Sequence, residues 1–149
     1  MLKVVFDTVV FVRALLNLRS VCGRLVFAYQ AQYQLYLSTP VVIEILRVLS
    51  REELVTKLER RRNTYLEAIA GLLESFRHAQ AVDLATIPPT SRDPKDDKFL
   101  ATALAAGADY LVSEDEDLLV LGEYQGIQIV NAATFLGILE RGAGNAGGG

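Results

Sequence analysis

A chain of 149 residues is long enough to bury a sizeable core and short enough to form one domain. With 51% hydrophobic and 22% charged residues it reads as a soluble α/β protein, and no apolar run reaches the length of a membrane span. Its lone cysteine, Cys22, excludes an internal disulfide, and a net charge of −3 leaves a nucleic acid to be held by a local basic patch or by metal ions rather than by the overall field. The apolar start is broken by Asp7 and Arg13 and has no signal-peptide core, so a cytoplasmic protein is expected.

In chain order, residues 2–6 (LKVVF) read as a buried strand ending at Asp7, followed by helices over 9–17 and 21–32. A second strand covers 34–37. Thr39 is the expected N-cap and Pro40 the first-turn proline of a helix to residue 50, and 52–78 reads as one charged helical stretch. AVDLA at 81–85 is a short strand, and Pro88-Pro89 marks a loop. Asp93 is the expected cap and Pro94 the first residue of a helix that stops at Gly107. Strands at 110–112 and 127–130 flank a short helix carrying Leu118, Leu119 and Leu121. AATFLGILE is the last helix, and residues 141–149 are expected to be a disordered, glycine-rich tail after a domain spanning 1–140. Short apolar strands alternating with helices predict a parallel sheet covered on both faces.

Several acids stand where a solvated face does not account for them. Asp7 follows a buried strand, and in open parallel sheets ligands bind beyond the carboxyl ends of strands. Asp115 and Asp117 occupy the same kind of position after the 110–112 strand. Glu44 shares a helical face with Val41, Ile45 and Val48, where a bare charge is costly and calls for Arg, Lys or a metal ion. Asp97 aligns with Leu100, Ala101 and Leu104, while Asp96 lies partly round from that face. Each has a plain alternative: a turn or cap for Asp7, a buried salt bridge for Glu44, favourable helix-dipole placement for Asp97, and a solvated acidic run for 114–117.

Together these acids suggest one cluster. Converging carboxylates repel by several kcal/mol per pair at an effective dielectric of about 20, and a divalent cation relieves this. Oxygen ligands without Cys or His suit Mg²⁺ or Mn²⁺. His78, at the end of a charged helix, reads as a surface residue. With no Ser-His pair, no glycine-rich phosphate loop and no nucleophilic cysteine, the pattern points to metal-assisted phosphodiester hydrolysis.

The segments VVFDTVVFVRALL, STPVVIEILRVL, DPKDDKFLATALAAGADYLVSEDEDLLVLGEYQGIQIV and NAATFLGIL resemble the PIN-domain family over residues 2–140, most closely its VapC-like toxin branch. The resemblance implies a three-layer α/β/α sandwich with a central parallel sheet. It implies a Mg²⁺- or Mn²⁺-dependent ribonuclease, often the toxin of a toxin–antitoxin pair and often a homodimer. The family acids fall on Asp7, Glu44, Asp97 and Asp115, with Asp117 close behind; the hydroxyl residues fall on Thr8 and Ser113, and Asp96 supports the site. Two positions depart from the family pattern. Val9 stands where asparagine is usual, and Ser113-Glu114 stands where Thr-Gly is usual. On this reading Asp115 points inward to metal, Asp117 supports the site or caps the short helix, and Glu114 and Glu116 are solvated.

Arg47, Lys98 and Arg92 are the candidates for phosphate contact, with Arg51 and Lys95 nearby. The dense basic stretch Lys57, Arg60, Arg61, Arg62 reads first as a solvated helix. A PIN-like module that binds RNA or protein without turnover is the rival reading. A receiver-type domain is disfavoured because Asp83 sits mid-strand, and an Asp-x-Asp phosphatase because Val9 stands where the second acid belongs.

Overall fold

The computed structural model describes residues 1–60, 62–84 and 94–148, without the side chains of 58–59, 62–66, 68, 94–97 and 143–148. Strand β1 (Leu2–Phe6) leads into helix α1 (Thr8–Leu16). Next come α2 (Val21–Gly23), a π-helical turn (Arg24–Ala28) and a 3₁₀ turn (Gln30–Gln32). Strand β2 (Tyr33–Ser38), helices α3 (Thr39–Leu49), α4 (Glu52–Glu59) and α5 (Arg62–His78), and strand β3 (Gln80–Val82) follow. Helix α6 (Pro94–Ala106), β4 (Tyr110–Val112), α7 (Glu116–Leu119), β5 (Glu123–Tyr124), β6 (Ile127–Val130) and α8 (Ala132–Gly148) complete the chain.

The strands form one sheet in the order β3-β2-β1-β4-β6-β5, parallel except for β5. Helices flank it in the expected α/β/α arrangement. From β1 the chain goes to β2 on one side and later returns to β4 on the other. The carboxyl ends of β1 and β4 therefore border the point where strand order reverses, which is where open sheets form their ligand crevice. Phe6 pairs with Val112, so Asp7 and Ser113 leave neighbouring strands side by side.

Beneath this point lies the core. Phe6 is fully buried and its ring lies 5.8 Å from Phe11, 5.2 Å from Tyr33 and 6.3 Å from Phe135, in tilted or edge-on contacts. The residue preceding Asp7 is thus fixed by aromatic packing, and the strand end is rigid.

Local structure departs from the sequence expectation at several places. The single helix expected over 21–32 is divided into α2, the π-helical turn and the 3₁₀ turn: helical backbone runs through Gly23 and Arg24, and leaves helical geometry at Tyr29 (φ −106°, ψ 8°). Ser38, not Thr39, is the N-cap of α3, and its hydroxyl makes no cap bond; it pairs with Thr102 Oγ1 at 2.7 Å. The 52–78 stretch divides into α4 and α5. Strand β3 ends at Val82, which leaves Asp83 beyond the strand rather than within it. The missed strand β5 is turned into β6 by Gln125 (φ 48°) and Gly126 (φ 87°), a hairpin turn in which glutamine replaces the usual Asn or Asp. Gly107, at φ 61°, ends α6 as expected. The expected cap Asp93 lies outside the described residues. Helical backbone in α8 runs on into the segment after residue 140 that composition marks as a tail.

Candidate active site

Asp7 caps α1: its Oδ1 accepts the Val10 N–H at 3.2 Å. Its Oδ2 accepts the Glu114 N–H at 3.2 Å and the Ser113 hydroxyl. Its own N–H donates to Val112 O at 3.0 Å, continuing the β1–β4 ladder. The plain alternative of a cap is therefore true of Asp7, and it does not exhaust the residue: only 3% of it is exposed, yet it reaches the cleft described below. Burial raises its carboxyl above the ordinary range, and the nearby Glu114 carboxylate adds to the rise. The three donated hydrogen bonds pull the other way, and burial outweighs them.

Glu44 is half-buried on α3, between the fully buried Val41 and Ile45. It has the cation that the sequence demanded. Lys98 Nζ donates to Oε1 at 2.7 Å, and the two side chains are 23% and 20% exposed. Its Oε2 accepts the Thr8 hydroxyl. Thr8, the first residue of α1, is buried, so this bond ties Glu44 to the strand end that carries Asp7.

After β4, Ser113 is fully buried; it donates to Asp7, and its Oγ accepts the Asp115 N–H at 2.9 Å. Asp115 is the N-cap of α7, taking the Asp117 N–H at 3.0 Å. Asp117 does not cap that helix, and its side chain is exposed rather than part of the cleft lining. Glu116 is exposed, as expected. Glu114 corrects the sequence reading. It is not solvated: its side chain is 18% exposed, pairs with Arg13 at 3.4 Å and accepts the Ala132 N–H of α8 at 3.1 Å. Cys22 Sγ lies 4.0 Å from the same Glu114 oxygen. The replacement of the usual glycine thus puts a strut between β4, α1 and α8, behind the cleft. Nothing in the residue type alone reveals this, because the partners come from distant segments.

Asp7, Thr8, Glu44 and Asp115 line one cleft of about 530 Å³, with Val9, Val12, Val48 and Phe99 as apolar wall and Arg47, Arg51 and Lys98 as its cations. Arg51 is a lining residue that the sequence placed only nearby. Asp96 and Asp97 fall in the first turn of α6, but their side chains lie outside the described residues, as does Arg92 altogether. Leu100 and Ala101, three and four positions beyond Asp97, are buried. His78 is exposed and paired with Glu74, away from the cleft.

The donor set suits a hard cation. A carboxylate has about four lone-pair positions. Asp7 uses three of them, Glu44 two and Asp115 one in bonds to described residues. Lys98 already stands as a cation on Glu44. Among the described residues no three His, Cys, Asp or Glu side chains converge as a metal-binding group. The described carboxylates are hard oxygen donors with lone-pair positions to spare, the chemistry such an ion takes, but among the described residues they do not form a closed group.

A PIN-domain family model matches residues 3–117, a span that contains Asp7, Glu44, Asp97 and Asp115. No curated protein matches the chain. The family match covers well over half of the sequence and agrees with the mostly parallel sheet and the crevice at the ends of β1 and β4: the chain belongs to the PIN-domain family, a nuclease-type fold.

Proposed function

We propose that this protein is a Mg²⁺- or Mn²⁺-dependent ribonuclease that hydrolyses RNA phosphodiester bonds in the Asp7–Glu44–Asp115 cleft, and that it is the toxin of a toxin–antitoxin pair. PIN domains are generally nucleases. The observation that carries the reading is the meeting of acids from β1, α3 and the β4 end with three cationic side chains in one cleft. Asp7, Glu44, Asp97 and Asp115 would hold the metal. Bound there, it would lower the pKa of a water and neutralise charge on the phosphate. Ser113 and the Glu114 N–H orient Asp7, and Thr8 orients Glu44. Asp115, with one accepted bond among the described residues, keeps the most lone pairs of the three for a water proton. Arg47 and Arg51 offer the phosphate a basic rim in a chain of net charge −3, with Arg92 as a further contact.

Cytoplasmic location, a homodimer and a cognate antitoxin belong to the same proposal. No helix among the described residues is long and apolar enough to cross a membrane. Val9, 40% exposed and on the cleft wall, favours the second reading, a module that binds RNA or protein without turnover.

The test is cleavage of RNA by purified protein with Mg²⁺, Mn²⁺ or EDTA, beside Asp97→Asn. Cleavage that needs the metal and is lost in the variant is expected. Metal binding without cleavage of varied RNAs would favour the binding module. Absence of metal binding would overturn the carboxylate-site reading.

A further inference from the structure

We propose that Lys98 is the built-in counter-cation of this carboxylate site: its ammonium holds Glu44 in the metal-free protein and releases it to a divalent cation, so that Lys98 weakens metal binding while stabilising the empty site. The inference rests on the metal-dependent reading above.

Glu44 carries a charge on an otherwise apolar helix face, and an unpaired charge there costs several kcal/mol. Lys98 removes that cost at 2.7 Å. The lysine is aimed by its backbone. Its carbonyl accepts the Thr102 hydroxyl at 2.6 Å, and Thr102 pairs with Ser38, the N-cap residue of α3. This buried hydroxyl pair joins the start of α3 to the turn of α6 that bears Lys98. The two backbones are therefore held in register, and only the flexible four-carbon stem is left to move.

A divalent ion and an ammonium on one carboxylate oxygen compete for its charge, and each weakens the hold of the other. Mg²⁺ requires oxygen ligands at about 2.0–2.1 Å in nearly octahedral geometry. Two cations on Glu44 would also repel in a half-buried setting. That repulsion favours Lys98 leaving Oε1 when the oxygen becomes a ligand, and its stem lets the ammonium swing into the cleft, where a phosphate is the next available anion. The cost is a population effect. If Lys98 occupies Glu44 about nine-tenths of the time, apparent metal affinity falls about tenfold.

The experiment is Mn²⁺ titration by calorimetry, with thermal unfolding in EDTA and in saturating Mn²⁺, for wild type, Lys98→Gln, Arg51→Gln and Asp7→Asn. Arg51 lines the same cleft without an ion pair to a described residue, so it controls for the loss of one positive charge. Lys98→Gln is expected to bind Mn²⁺ about tenfold more tightly, to melt below wild type in EDTA, and to recover that difference in Mn²⁺. Arg51→Gln is expected to change affinity much less. If Lys98→Gln binds no more tightly than Arg51→Gln, or stays equally destabilised with and without Mn²⁺, the pair is an ordinary salt bridge and the proposal is overturned. If wild type binds no Mn²⁺, or Asp7→Asn binds it as well as wild type, the metal-dependent reading beneath the proposal fails instead.

Discussion

The two ends of the cleft hold their carboxylates by different means. Asp7 stands at a strand end and is fixed by two backbone N–H groups and a buried serine hydroxyl. Glu44 stands on a helix, whose backbone donors are already used within the helix, and is held by a threonine hydroxyl and a lysine. The junction where β1 opens helix α1 beside the end of β4 supplies free backbone donors at fixed positions, so its carboxylate is preorganised without a counter-ion. A carboxylate on a helix must borrow a side-chain cation, and a side-chain partner can be exchanged. Rigidity at Asp7 and exchangeability at Glu44 suit a site that must bind and release an ion.

The sharpest way to break this contrast is Asp7→Asn. Cleavage is expected to fall to background, whereas folding is not lost. Burial raises the Asp7 carboxyl, so the folded state binds more protons there than the unfolded state. The group therefore costs wild type stability increasingly as pH rises from the ordinary value of 3.8 through the raised folded value, and the cost is constant above that. In EDTA, urea unfolding should show the variant gaining on wild type as pH rises over this interval, with the difference becoming independent of pH in more acid solution.

Next in size, Ser113→Ala and Thr8→Val remove one hydroxyl donor from each end. Ser113→Ala should cost about 10–100-fold in Mn²⁺ affinity or cleavage, because the Asp7 geometry is lost with its donor. Thr8→Val should cost less, because Lys98 remains on Glu44. Equal losses in titrations of the two variants would erase the distinction between the ends.

Glu114 tests what holds the rigid end in place. Glu114→Ala should lower unfolding stability by about 2 kcal/mol, through the lost charge-assisted bond to the α8 N-terminus. Glu114→Gln keeps an acceptor and should lose less in the same denaturation assay. The last effect is confined to one side chain. Cys22 has its thiol raised from 9.0 to about 11 by burial first and then by the Glu114 charge, with Arg13 opposing and Asp7 adding. Alkylation at pH 8 should be on the order of a hundredfold slower than in urea. Glu114→Gln should speed it in the folded protein. An unchanged rate in that variant would detach Glu114 from the cysteine.

Much of the fold is legible in the sequence because its signals are local. Alternating apolar runs gave β1, β2, β4 and β6, and Gly107 marked the end of α6. Where a distant contact overrides local preference, the reading failed. Ser38 gives its hydroxyl to Thr102, 64 positions away, instead of to its own helix. Strand β5 escaped notice because Gln125 adopts a positive φ that its residue type does not advertise.

The site divides in the same way. The sequence by itself determined that Asp7 and Asp115 stand at strand ends and that Glu44 needs a cation, since strand termination and helical spacing follow from neighbouring residues. Only the tertiary structure decided that the cation is Lys98, that Thr8 reaches Glu44, and that Glu114 turns away from the cleft to Arg13 and α8. These partners are separated by 54, 36 and up to 101 positions in the chain. No local periodicity encodes them; they meet because the β1–β4 register and the packing of α3 against α6 bring their elements together.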